Sequence, residues 1–164
     1  MAMAIRDGMG ATPDALWFED LWPGRCFNSP EITVAAVDIA AFAGQFDPQA
    51  LHLDAAAATR WGFPDVIASG WHTASLTMRL MLDSDMRLSA GSIGLGVEAL
   101  RWRHPVLAGD RLTAQIEVLE RRESHTRPLE GVATLHVSTR NQRAEVVMDA
   151  RLAILVRCRP PAGS

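Results

Sequence analysis

Apolar and polar residues take turns along three stretches of the C-terminal half. Leu112, Ala114, Ile116 and Val118 alternate with Thr113, Gln115 and Glu117. Ala133, Leu135 and Val137 alternate with Thr134, His136 and Ser138, and Val146, Met148, Ala150, Leu152, Ile154 and Val156 form a longer series. A period of two marks strands with one face on a core. Gly109-Asp110 and Asn141-Gln142-Arg143 are the expected turns, and Ile93–Trp102 the expected strand before them. The earlier half has a helical period. Val37, Ala40, Ala41 and Gly44 share a face within Val34–Gly44, with Thr33 as the expected cap. Asp54 is placed to cap a short helix Ala55–Trp61, which Gly62-Phe63-Pro64 ends. A short strand or loop at Trp17–Gly24 and a strand near Cys26–Thr33 precede these.

Ser69–Leu82 differs from both patterns. Arg79 is its only charged residue, and apolar groups fall on nearly every face. A helix of that kind belongs inside a protein, and it would span roughly 20 Å. The order is strand, helices, one interior helix, then four strands in antiparallel succession. A sheet that curls around the helix satisfies this pattern. The expected class is α+β, with a curved antiparallel sheet wrapped around a long buried central helix, the hot-dog arrangement. Residues 1–13 read as a mobile leader, 14–158 as one domain and 159–164 as a tail.

Composition removes several function classes. No apolar run approaches the roughly 18 residues of a membrane span. Cys26 and Cys158 do not form a CxxC pair, so a cytoplasmic setting is expected, and no secretory signal is visible. The net charge is −3 with no basic run, which argues against nucleic acid as a partner. All 16 basic residues are arginine, so lysine Schiff-base chemistry and a P-loop lysine are excluded. The histidines share no metal-ligand spacing.

Candidate chemistry lies in Asp47-Pro48-Gln49-Ala50-Leu51-His52. Stretched out, the carboxylate and imidazole would stand up to roughly 17 Å apart, so only a curled loop brings them together. An imidazole changes charge near neutral pH, and a carboxylate beside it can order a water. On its own the pair reads more readily as a turn-opening aspartate and a packed histidine than as a catalytic pair. Context comes from Ile67-Ala68-Ser69-Gly70-Trp71, at the start of the interior helix. The Gly70 N–H there is an unpaired donor at the positive end of the helix dipole. It is suited to a thioester oxygen that gains charge as an enolate forms.

Asp47-x4-His52 with Phe42-Ala43 before it, His52-Leu53-Asp54, Ile67-Ala68-Ser69-Gly70 and Pro105-Val106…Gly109-Asp110 together resemble the MaoC-like dehydratases, the (R)-specific enoyl-CoA hydratases of the hot-dog superfamily. The likeness runs from about Trp17 to Val156. It implies reversible syn hydration of a trans-2-enoyl-CoA to a (3R)-3-hydroxyacyl-CoA. Asp47 and His52 are then catalytic, the Gly70 N–H holds the oxyanion, and Ser69 and Trp71 contribute to the substrate pocket. No metal and no redox cofactor are implied, coenzyme A being part of the substrate. Gln49-Ala50 stands where the family commonly has Asn-Pro, Ser69 where it often has histidine, and Met78 where hydratases can carry a serine. A hot-dog thioesterase and a non-catalytic acyl-binding subunit are the competing readings. Exposed strand edges and a poorly sealed helix point to a homodimer. Trp71, Leu76 and Met78 suggest room for a carbon chain. His72 is expected as a core or interface histidine, and Arg121, Arg122 and Arg127 as solvated charge.

Overall fold

The computed structural model describes residues 15–161. The expected leader lies outside this range. The chain enters through a 3₁₀ turn, Phe18–Asp20, closed by a bond from the Trp17 N–H to the Asp20 carboxylate at 2.8 Å. Two short strands follow, β1 (Cys26–Asn28) and β2 (Ile32–Thr33). The single strand expected near 26–33 is broken because Pro30 has no N–H for a ladder, and the Ser29 hydroxyl turns back onto the Pro30 carbonyl.

Helix α1 is Ala36–Phe46. Thr33 does not cap it: that residue is in β2, and Ala35 occupies the cap without a side-chain bond. Helix α2 is Ala55–Arg60, capped as expected by Asp54, whose carboxylate accepts from the Ala56 N–H at 2.9 Å. Helix α3 is Gly70–Asp83, with Ser69 as its cap.

The long strands are β3 (Ser92–Trp102), β4 (Arg111–Glu123), β5 (Glu130–Arg140) and β6 (Val146–Arg157). The sheet runs β1-β4-β5-β6-β3, with β2 also on β4, and every pair is antiparallel. The four long strands are therefore not a simple succession. β3 crosses to the far side and pairs with β6, from Ser92 opposite Val156 to Trp102 opposite Met148. Alternation tells which face a residue takes and leaves the choice of neighbour open. The alternating residues of β4, Leu112, Ala114, Ile116 and Val118, are all buried.

Helix α3 lies in the curve of this sheet. Thr77 Oγ1 meets Thr139 Oγ1 at 2.8 Å, and Leu80 and Met81 are buried beside it. This is the hot-dog fold. The interior placement of α3 holds for one face only. Trp71, Met78 and Leu82 are exposed at 61%, 50% and 68%. The chain's own sheet covers the face of the helix that carries Thr73, Thr77, Leu80 and Met81, and the second apolar face stays open. At the other end of the sheet, the Phe18 ring lies where a Cβ on Gly131 would be, which ties the entry turn to β5. Arg121 packs over Phe18 and donates to the Phe18 and Glu19 carbonyls, so it is structural and not free charge. Arg127 pairs with Glu130. The described start of the expected tail is held: Arg159 bonds Glu19 through its N–H and Asp20 through its guanidinium. Cys26 and Cys158 are both free, and no helix among the described residues is long and apolar enough to cross a membrane.

Candidate active site

Asp47 ends α1, with its N–H on the Ala43 carbonyl at 3.0 Å. Pro48 cannot continue a helix. The chain doubles back through a 3₁₀ turn, Ala50–His52, which begins three residues past Asp47 and presents His52 inward, 6% exposed. His52 Nε2 then stands 3.3 Å from Asp47 Oδ2. The curled loop thus closes a gap that an extended chain would leave wide open.

The other ring nitrogen fixes the chemistry of the first. His52 Nδ1 is 2.7 Å from the Ile67 carbonyl oxygen. A carbonyl only accepts, so Nδ1 carries the hydrogen, and Nε2 is the atom that gains or loses a proton facing Asp47.

Asp47 is held by two further donors. The Ser69 hydroxyl donates to Oδ2 at 2.6 Å, and the Gln49 amide donates to Oδ1 at 2.7 Å. These two bonds, Ser69 first, keep the carboxyl below the usual carboxylate range; burial opposes them and the His52 charge adds to them. Gln49 and Ser69 depart from the commonest family residues, yet both serve the carboxylate.

Ser69 also caps α3 by accepting the Trp71 N–H at 3.2 Å. Among the described residues, no acceptor meets the N–H of Gly70, the first residue of that helix. The strand-like stretch ahead of it is pinned by the Ala68 N–H on the Val106 carbonyl at 2.8 Å and by a bridge between Ile67 and Leu107. Asp110 in turn accepts from the Leu107 N–H and from Gln142, and Gly109 makes the turn with φ of +85°. The Pro105-Val106…Gly109-Asp110 motif is thereby explained: it braces the backbone that carries Ser69 and Gly70.

A cavity of about 300 Å³ is lined by His52, Phe63, Ile67, Gly70, Thr73 and Trp102, among others. Of the residues singled out in the sequence, His52 and Gly70 line it; Asp47 contacts His52 and Ser69 precedes Gly70. Trp71 does not line it; its side chain leaves the first turn on the open face and meets the Trp102 ring edge-on at 5.4 Å. Trp102 was not marked as a site residue by the sequence. It donates through Nε1–H to the Gly70 carbonyl at 2.7 Å. A second, larger cleft of about 770 Å³ lies between the C-terminal half of α3 and strands β3 and β6, with Met78, Met81, Leu82, Gly94, Gly96 and Ile154 in its wall. Leu76 is not in that wall. His72 is buried against Phe42, rings 4.9 Å apart and nearly parallel, with Nδ1 lacking a partner. Burial pushes its pKa down, against the pull of Asp38. Among the described residues no His, Cys, Asp and Glu side chains gather as a metal-binding set.

The family model described as a MaoC like domain matches residues 22–141. The chain belongs to that family. The solved structure of the MaoC-like dehydratase from Rhodospirillum rubrum is 44% identical with a TM-score of 0.84, covering 90% of this chain and 100% of its own. The uncharacterized protein YdeM of Bacillus subtilis is 29% identical over 134 residues, 82% of this MaoC-like chain and 94% of YdeM. The (R)-specific enoyl-CoA hydratase of Aeromonas caviae is 40% identical over 91 residues, 54% of this chain and 64% of the hydratase.

Proposed function

We propose that this MaoC-like protein is a hydro-lyase that adds water reversibly, in the syn sense, to a trans-2-enoyl-CoA and forms a (3R)-3-hydroxyacyl-CoA. The observation that carries the reading is the Asp47–His52 contact beside the open Gly70 N–H. Membership of a family with a named (R)-specific enoyl-CoA hydratase among the relatives supports it.

Asp47, already accepting from Ser69 and Gln49, stays a carboxylate and holds the attacking water. His52 Nε2 is the proton acceptor. The water oxygen bonds to C3 while its proton passes to Nε2. The electron pair of the C2=C3 bond moves toward the thioester, whose oxygen gains charge against the Gly70 N–H. The imidazolium then returns its proton to C2 on the same face, and the thioester carbonyl reforms. Nδ1–H remains on the Ile67 carbonyl throughout, so the ring orientation is kept. No metal or redox cofactor takes part in this scheme.

A homodimer belongs to the same proposal. The open face of α3 and Val97 of the outer strand β3, 60% exposed, border one apolar surface, and β3 ends the sheet. Pairing two copies there covers both. The setting is cytoplasmic fatty-acyl metabolism.

The test is to mix the protein with short, medium and branched enoyl-CoA thioesters and follow the ultraviolet absorbance of the conjugated thioester, with thiol release in parallel. Loss of absorbance without thiol supports the proposal. Free thiol indicates a thioesterase, and no change in either indicates a binding subunit.

A further inference from the structure

The five-residue segment Ile67–Trp71 is gripped by three side chains from outside it. His52 holds the Ile67 carbonyl, Asp47 holds the Ser69 hydroxyl, and Trp102 holds the Gly70 carbonyl. The first two belong to the proposed acid/base pair. The third has no place in that chemistry, and its fit to Gly70 is closer than a single bond requires. A Cβ built on Gly70 would stand 2.6, 2.8 and 3.0 Å from Cε2, Cδ2 and Cζ2 of the indole. The ring thus lies on the Gly70 Cα while its N–H reaches the carbonyl of the same residue. Glycine at 70 is required by the indole, whether or not a ligand also approaches there.

Trp102 is itself anchored. It ends β3 opposite Met148 of β6, and the next residue, Arg103, donates its N–H to the Val147 carbonyl at 2.8 Å and its guanidinium to Asp149. The indole therefore links the rigid sheet to the first turn of α3. Contact at Cα and at the carbonyl restricts rotation about both backbone bonds of Gly70, and so fixes where its N–H points.

We infer that Trp102 is a positioning residue for the oxyanion-holding N–H of Gly70: it acts through the Gly70 backbone and aims that donor into the cavity. The inference rests on the proposed hydration. Hydrogen-bond donors of this kind act through placement relative to the developing charge. A change at Trp102 is felt in the chemical step more than in binding.

The test uses Trp102→Phe, which keeps a ring against Gly70 and removes the N–H, and Trp102→Ala, which removes both. Each is checked for folding by circular dichroism and thermal melting. Turnover of an enoyl-CoA gives kcat and KM. Infrared difference spectroscopy of bound butyryl-CoA, carbon-13 labelled at the thioester carbonyl, reads the polarisation of that carbonyl. Trp102→Phe is expected to fold, keep KM within about twofold and lose about tenfold in kcat, a fraction of what removal of a whole oxyanion donor costs. Its bound carbonyl band moves back toward that of free butyryl-CoA. A folded Trp102→Phe with wild-type kcat and an unmoved band overturns the inference. So does a loss confined to KM, or one that only tracks the folded fraction of either variant. A wild-type protein that hydrates no enoyl thioester overturns the hydratase reading and this inference with it, an outcome visible before any variant is compared.

Discussion

Ser69 Oγ donates to Asp47 Oδ2 at 2.6 Å and at the same time accepts the Trp71 N–H at 3.2 Å. One buried hydroxyl therefore both starts helix α3 and sets the ionisation of the carboxylate that ends α1. The Asp47 carboxylate and the first turn of α3, which carries the proposed oxyanion donor, are tied together by a single side chain.

Ser69→Ala separates these roles from the rest of the site. The largest influence lowering the Asp47 pKa disappears, so the carboxyl titrates at higher pH than in wild type. Carbon-13 NMR titration of the Asp47 carboxyl reads this directly. Because the folded pKa is depressed, Asp47 contributes stability above the ordinary carboxylate range, and that share is lost as pH falls through the folded value. The variant loses less on acidification. It is also less stable at neutral pH by about 1 kcal/mol through loss of the helix cap. An unmoved Asp47 titration contradicts the role given to Ser69.

His72 gives a second pH dependence, away from the proposed chemistry. Its ring is buried against Phe42 and its pKa is lowered from 6.5. The unfolded chain takes up a proton there more readily, so stability declines as pH falls below 6.5. His72→Phe keeps an aromatic ring at the stack and removes the titration. Urea unfolding at neutral pH and on the acid side of that value is expected to show a smaller decline for the variant. Equal declines contradict the assignment.

How far these features were legible from the chain differs from residue to residue. The alternation in Leu112–Val118 and Ala133–Val137 showed which side chains enter the core, and Asp54 and Ser69 announced the starts of their helices. The crossing of β3 to β6 was not readable, because pairing between distant strands leaves no local trace. Thr33 failed as a cap since strand pairing with Arg111 claimed its backbone. Asp47 and His52 were marked by family resemblance, but their approach depends on a loop whose curl follows from Pro48 and the 3₁₀ turn. Trp102 carried one signal: an indole N–H ending a strand needs an acceptor when partly buried. Nothing local named Gly70 as that acceptor.

The open face of α3 makes a prediction about assembly. Leu82 is 68% exposed in the single chain and stands beside the edge formed by β3. Leu82→Arg places a charge where the second copy is expected to pack. Wild type should sediment as a dimer and the variant as a monomer at micromolar concentration. A wild-type protein that is monomeric at every concentration tested contradicts the proposed pairing.

The most direct test of the whole account is the rate of crotonyl-CoA hydration by wild type, Asp47→Asn and His52→Ala, followed at the absorbance of the conjugated thioester. The account predicts that wild type removes the signal without releasing thiol and that each variant, still folded, turns over at least about 10²-fold more slowly. Hydration at near wild-type rate by either folded variant would contradict it.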